Sequence, residues 1–547
     1  LNTANLNALI YTWTHGTKGL VLLYAIIAVF SLAGLKRGRA SLRQYIAWPV
    51  TTLATLVVVG LATQFILWVL EKLAGLTFGG NPLILPLVLY MFGGFLGGLY
   101  WAKRGQPLAS IERRGAMVFD GGQAQAETQK LRNKARRLPP AQMPLTVAGV
   151  AVPFEDEFKH FKFLGTTGTG KSTVMRELLH AALYRGDRAV IADPDGGYLS
   201  RFYDPKRGDV ILNPFDARSA KWNLFAELRN AYDVDELAQA FIPDRGSDPT
   251  WTNFARTLFS AVTAQAQVAG IDDIGELYRL LVAASKDELQ VLVTGTPAAP
   301  FLEAGSDKLF QGARSTVTAA VKSLDFVRAQ QTPLFSVREW VKSGRGVLFL
   351  PYQADQISAL KAIISIWMRL AIFQTMSLGE GDHRLWFAVD ELDALGAING
   401  LPDALTRLRK FGGRCVLGLQ SIAQASTNYG QGVAQSLIEN CGNTLILRCS
   451  ASEGGGTARY ASKLIGEREV VRLVRSVSRS SGMRLGSDRD TEGHSEQTAT
   501  ELAVMSAEIE QLQDRTGFLK FASQPGWMRV AFPVYETDKI AAPFVPR

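Results

Sequence analysis

Phe161-Lys162-Phe163-Leu164-Gly165-Thr166-Thr167-Gly168-Thr169-Gly170-Lys171-Ser172-Thr173 joins a short apolar strand to a glycine-rich turn. The turn fits G-x-x-x-x-G-K-[ST] without a gap. The spacing has a physical purpose. Glycines let the backbone wrap around phosphates with its N–H groups pointing inward, the lysine reaches the β and γ phosphates, and the Ser172 hydroxyl ligates magnesium. Val174 to Leu183 interleaves apolar and polar residues and reads as the helix whose N-terminus completes an anion site. Residues Gly165, Thr166, Thr167, Gly168, Thr169, Gly170, Lys171, Ser172 and Thr173 are therefore the candidate nucleotide-binding set, and the fold class that follows is α/β.

Working outward, Arg188 to Ala192 reads as a second strand that ends at Asp193-Pro194-Asp195-Gly196-Gly197. Acids leaving the C-terminal end of such a strand lie near the ligand crevice of an open α/β sheet, either as a polar turn or as outer support for a metal ion. A further buried strand, Leu385 to Val389, runs into Asp390-Glu391. Asp390 is the candidate magnesium partner of Ser172, and Glu391 the general base that orients the attacking water. This doublet suits hydrolysis, whereas a kinase needs a pocket for an acceptor hydroxyl. Cys415 to Leu419 is the next strand, and Gln420 at its end either senses the γ-phosphate or is a capping or turn glutamine. Before it, Arg407, Arg409, Lys410 and Arg414 surround Phe411-Gly412-Gly413, where one of them is either an arginine offered to a neighbouring subunit's nucleotide or solvated helix-face charge.

Between the two acidic strand ends, residues 224–340 read mainly as helices, with apolar residues at helical spacing in Thr252 to Val268 and Thr316 to Phe326. They form the core of an all-α domain that interrupts the nucleotide-binding domain, itself assigned to 145–223 and 341–547. Lys361 to Met376 reads as a helix of the α/β body. Arg475 to Thr500, rich in Ser, Thr, Gly and Arg, reads as a mobile loop with balanced charge.

The N-terminal 102 residues are different in kind. Three apolar runs, 19–35, 45–70 and 82–102, have the length of membrane spans, with Trp48, Trp68, Tyr100 and Trp101 near their ends. Gly93, Gly94, Gly97 and Gly98 offer close-approach positions. Alternatives are a signal peptide for the first run, or a two-span arrangement with an interfacial first segment. Positive residues follow the third run, which predicts residue 1 outside and residues 103–547 in the cytoplasm. The chain carries 59 Lys+Arg against 50 Asp+Glu, and much of the excess lies in a basic juxtamembrane linker, 103–144. That linker suits anionic lipid headgroups or nucleic acid phosphates. Three cysteines and five histidines, in no ligand spacing, exclude a disulfide framework and a standard zinc site.

Taken in order, the spans, Gly165 to Ser172, Ala192-Asp193-Pro194-Asp195-Gly196, Ile211-Leu212-Asn213-Pro214-Phe215-Asp216, Asp390-Glu391-Leu392, Gly418-Leu419-Gln420-Ser421 and Val504-Met505-Ser506-Ala507-Glu508-Ile509 resemble the type IV secretion coupling proteins, the TraD/TrwB-like conjugative ATPases of the FtsK/HerA-like P-loop superfamily. The resemblance covers nearly all of residues 145–540. It implies a RecA-like P-loop ATPase domain interrupted by an all-α domain and preceded by an α-helical transmembrane region, assembled as a homo-hexamer on the bacterial inner membrane. It further implies ATP and Mg2+ as cofactors, and coupling of hydrolysis to movement of single-stranded DNA with its relaxase, from the relaxosome toward the inner-membrane components of the secretion system. By position, Lys171, Ser172, Asp390 and Glu391 match the family's catalytic set, Gln420 its γ-phosphate glutamine, and Arg409 the arginine offered to the adjacent subunit. Three spans where members commonly have two, and no long acidic tail after Tyr535, are departures from the pattern. Rival readings are a chromosome-type DNA translocase, and a nucleotide-gated platform that delivers protein substrates.

Overall fold

The computed structural model describes residues 17–38, 40, 42–74, 84–103, 111–135, 139–244, 249–451, 456–480 and 489–547. The chain divides into two compact units, Leu1–Arg113 with Val470–Ala499, and Arg114–Glu469 with Thr500–Arg547.

In the first unit the apolar runs form helices α1 (Thr17–Arg37), α2 (Leu42–Ala74) and α3 (Ile84–Lys103). The expected start of the third span, Pro82, lies outside the described residues. Among those described, Gln44–Ala62 within α2 is long and apolar enough to cross a bilayer, and Ile46, Val50, Leu53, Val57 and Leu61 are exposed along it. Helices α1 and α3 pack backbone to backbone. A Cβ on Gly34 would overlap the Phe95 carbonyl, and one on Gly98 would overlap the Ser31 carbonyl. Small residues are what permit this approach, since a side chain at either position would meet the facing backbone. Gly98→Leu is therefore expected to force the pair apart at a cost of about 1–3 kcal/mol. The effect reads out as a lower melting temperature of detergent-solubilised protein; an unchanged melt would show that α1 and α3 do not associate through this face.

The segment expected to be a mobile loop is instead largely strand. Glu467–Ser480 and Arg489–Leu502 are neighbours in one sheet, with residues 481–488 outside the described set. Few large apolar residues made it read as a loop. Val470, Val471, Val474, Val477 and several threonines supply the β-branched content that favours an extended ribbon.

The second unit is built on a ten-stranded mixed sheet: β1 (Val118–Asp120), β2 (Phe161–Leu164), β3 (Arg188–Pro194), β4 (Val210–Ile211), β5 (Val347–Tyr352), β6 (Leu385–Val389), β7 (Gly413–Leu419), β8 (Asn443–Ile446), β9 (Thr516–Lys520) and β10 (Trp527–Ala531). Their spatial order is β1-β10-β9-β8-β2-β7-β6-β3-β5-β4. From β8 to β4 every pair is parallel, and β9 and β10 add antiparallel pairing on the other side. The central strands are buried from end to end because both faces are covered.

Alternation along those strands sorts their side chains between two cores. Phe161, Phe163, Ile191, Phe349, Trp386 and Val416 pack with Val174, Met175, Leu178 and Leu179 of helix α4 (Lys171–Tyr184). Leu164, Val190, Leu348, Leu350, Phe387 and Leu417 pack on the opposite face with helix α5 (Ile357–Ser377). Helix α5 is as apolar as a membrane span, yet it is a core helix, buried on that face of the sheet.

The insertion between β4 and β5 is α-helical, with helices at Ala231–Phe241, Thr250–Val268, Ile274–Val282, Lys286–Leu292, Asp307–Ala320 and Lys322–Arg328. It is closed at its neck by a short parallel pair, Lys221–Trp222 with Leu334–Phe335. Glu227, fully buried, ties the two sides. It accepts hydrogen bonds from the Trp222 indole at 3.0 Å and from the backbone N–H groups of Val337 and Arg338 at 2.7 and 3.0 Å. A buried carboxylate with three donors is stable where an unpaired one is not.

Candidate functional site

The glycine-rich turn leaves the C-terminal end of β2 and is hung from both neighbouring strands. Gly165 N–H donates to Leu419 O at the end of β7, and Thr166 N–H donates to Arg448 O just beyond β8. Within the turn the Thr169 hydroxyl donates to Thr166 O at 2.7 Å, and from outside Arg515 N–H donates to Thr169 O. Gly168 and Gly170 adopt φ of +80° and +113°, a region open to glycine but strained for other residues. These constraints preform a concave backbone loop at the head of α4.

Four side chains named from sequence meet at this rim. Lys171, 6% exposed, donates from Nζ to Gly165 O at 2.6 Å and Thr166 O at 3.0 Å. Burial pushes its pKa down, opposed by the nearby carboxylates of Asp390, Glu391 and Asp393. Asp390 is 3% exposed; its Oδ2 accepts the Tyr198 hydroxyl at 2.8 Å, and its Oδ1 is buried without a protein partner. Glu391 follows on the solvent side, its pKa raised by burial and then by the Asp390 charge. Gln420 bridges the two halves, its Nε2 donating to Glu391 Oε1 at 3.2 Å while its Oε1 accepts the Thr167 hydroxyl at 3.2 Å. Ser172 lies in the first turn of α4, half-buried, and Thr173 beside it is buried with Arg176 Nη2 at 3.4 Å from its hydroxyl.

This donor set suits a nucleoside triphosphate with a divalent cation. A backbone cradle and a lysine serve the phosphates, and an unpartnered buried carboxylate oxygen is a group that a cation would satisfy. Among the described residues no three His, Cys, Asp or Glu side chains form a metal cluster of their own. That fits an ion held by a hydroxyl, one or two carboxylates, water and the substrate's own phosphates.

The arginines separate. Arg414, grouped with the exposed cations by sequence, is fully buried, with Nη1 at 2.9 Å from Asp382 Oδ1 and its guanidinium over the Phe158 ring at 4.4 Å. It is structural. Arg409 is exposed in a short helical turn ahead of β7, at the opposite end of that strand from Gln420. A seven-residue strand spans about 20 Å, so Arg409 does not face the turn of its own chain.

The family profile described as "Type IV secretion-system coupling protein DNA-binding domain" matches residues 144–533. The chain belongs to the type IV secretion-system coupling proteins. It is 30% identical over 404 residues to Coupling protein TraD of Escherichia coli (strain K12), an alignment that covers 72% of this chain and 55% of TraD. The chain thus spans about half the length of that curated relative. VirD4 of Bartonella quintana (strain Toulouse) is 29% identical over 148 residues, covering 27% of this chain and 22% of VirD4. Among solved structures, the bacterial conjugative coupling protein TrwBdeltaN70 in an unbound form superposes with TM-score 0.68 at 32% identity, covering 81% of this chain and 98% of that one. TrwB in complex with ADP and Mg2+ gives TM-score 0.68 at 31% identity, covering 81% and 99%.

Two residues of this coupling protein's site, Asp393 and Tyr198, were missed by sequence. Asp393 accepts the backbone N–H of Gln420 at 3.1 Å through Oδ2, holding the glutamine's backbone in place. Tyr198 reaches Asp390 from the loop after β3. Asp193, read as a turn or as metal support, is fully buried and accepts the N–H groups of Tyr198 at 3.0 Å and Leu199 at 2.6 Å, which makes it the brace of that loop. Burial pushes its carboxyl up to about 7. An Asp two residues after Asp390-Glu391 was a visible signal; nothing local points to Tyr198.

Proposed function

We propose that this coupling protein is a membrane-anchored, Mg2+-dependent ATPase that moves single-stranded DNA with its bound relaxase from the relaxosome toward a type IV secretion channel during bacterial conjugation. The observation that carries the reading is the convergence of Lys171, Asp390, Glu391 and Gln420 on one preformed glycine turn. When bound, the nucleotide and Mg2+ would be held by the backbone of Gly165 to Thr173, by Lys171, and by Ser172 with Asp390; the ion supplies charge neutralisation at the phosphates. Glu391 orients the attacking water and takes its proton, and Gln420 senses the γ-phosphate. That TrwB is known in complex with ADP and Mg2+ supports this choice of ligand.

The remaining parts of the proposal follow from charge and hydropathy. Helices α1, α2 and α3 anchor the chain as a multi-pass protein in the inner membrane, with the α/β body in the cytoplasm and the basic linker against anionic headgroups. The functional assembly is a homo-hexamer, in which each subunit's net +9 recurs sixfold around a polyanion. Contacts to DNA are made through phosphates, so binding has little base preference and weakens steeply with salt.

The test is ATP hydrolysis by detergent-solubilised protein with and without single-stranded DNA, with Lys171→Ala as control. Stimulation by DNA that is lost in the variant and declines between about 50 and 200 mM salt is expected. Hydrolysis indifferent to DNA at every protein concentration would overturn the motor in favour of a nucleotide-gated platform for protein cargo.

A further inference from the structure

Asp390 has two carboxylate oxygens in unlike surroundings. Its Oδ2 accepts the Tyr198 hydroxyl at 2.8 Å, across 192 residues of sequence, while its Oδ1 is buried with no hydrogen-bond partner. A carboxylate held at one oxygen keeps a defined plane, which leaves the other oxygen for a cation. Tyr198 is itself rigidly held. It is 2% exposed, its ring lies 6.4 Å from that of Phe202, and its N–H donates to Asp193 Oδ1. The loop before it is pinned by Asp195 N–H, which donates to Tyr352 O at 2.8 Å, and turns through positive φ at Asp195 and Gly196.

We infer that Tyr198 is a positioning residue for the divalent cation: its hydroxyl orients Asp390 so that Oδ1 remains available to the ion. The inference rests on the ATPase reading above, since it is the Mg2+ of that site that Asp390 would hold. A buried tyrosine hydroxyl needs an acceptor in any case. A purely structural role predicts that its removal affects folding or nucleotide affinity in general, whereas a positioning role affects the metal alone.

The experiment uses the full chain and a fluorescent ADP, titrated with MgCl2 and separately in EDTA. Tyr198→Phe keeps the ring and removes the hydroxyl. It is expected to raise the Mg2+ concentration for half-maximal ADP binding by about 10-fold, the ratio that follows from losing a hydrogen bond to a charged group. Affinity in EDTA stays within about 2-fold of wild type on the same argument. On an Asp390→Asn background the Tyr198→Phe change should add nothing further, because both act through one carboxylate. Asp193→Asn, which leaves the hydroxyl but removes a carboxylate oxygen that braces its loop, is expected to shift the Mg2+ requirement in the same direction and by less. An unchanged Mg2+ requirement in both Tyr198→Phe and Asp193→Asn, or an equal loss of affinity in EDTA, would overturn the inference while leaving the ATPase reading intact. Wild-type protein that bound no ADP under any condition would instead overturn the ATPase reading itself.

Discussion

Glu391→Gln is expected to leave the protein able to bind ATP and Mg2+ while lowering hydrolysis by about 10²–10⁴-fold, the range that a positioned general base contributes. The amide is isosteric and can still meet Gln420, so the local hydrogen bond at Glu391 Oε1 has a replacement and the fold is undisturbed. Only the capacity to accept a proton is lost. Burial and the neighbouring Asp390 raise the Glu391 carboxyl, which makes it a stronger base than a free glutamate, and this is the property that glutamine lacks. Single-turnover hydrolysis and filter binding of ATP, measured side by side, check the expectation. Hydrolysis within 10-fold of wild type would remove Glu391 from the role of base.

Arg409→Ala is expected to abolish most activity, by about 10³-fold or more if it acts as an arginine finger, without weakening ATP binding to the isolated subunit. Its exposure, and its place at the far end of β7 from Gln420, separate it from the phosphate turn of its own chain. The consequence is testable by mixing. Arg409→Ala subunits retain an intact turn, and Lys171→Ala subunits retain an intact arginine. Each alone is inactive. Randomly mixed rings would join one good turn to one good arginine at about one interface in four, and a fraction of activity should return. Mixtures as inactive as their components would exclude action of Arg409 across a subunit boundary.

The fluctuating legibility of this protein follows from how far apart in sequence the cooperating groups lie. The glycine turn, the acidic pair and Gln420 each sit directly after a short apolar strand, so strand and functional residue are read together. Arg414 misled because charge pattern alone cannot report burial: only the packed structure shows Asp382 and the Phe158 ring around it. The strands Glu467–Ser480 and Arg489–Leu502 misled for the opposite reason, since strand formation there depends on pairing with a neighbour more than on apolar content. Sequence alone determined that a glycine-rich turn opens a helix in an α/β body preceded by long apolar helices, because backbone conformation at glycine and hydropathic periodicity are local properties. Tertiary structure decided that Tyr198 holds Asp390, that Asp393 holds Gln420, and that Glu227 closes the neck of the insertion. Those contacts join residues brought together only when parallel strands align their C-terminal ends or a distant helix returns to the sheet, and no local preference of the chain encodes which distant partner will arrive.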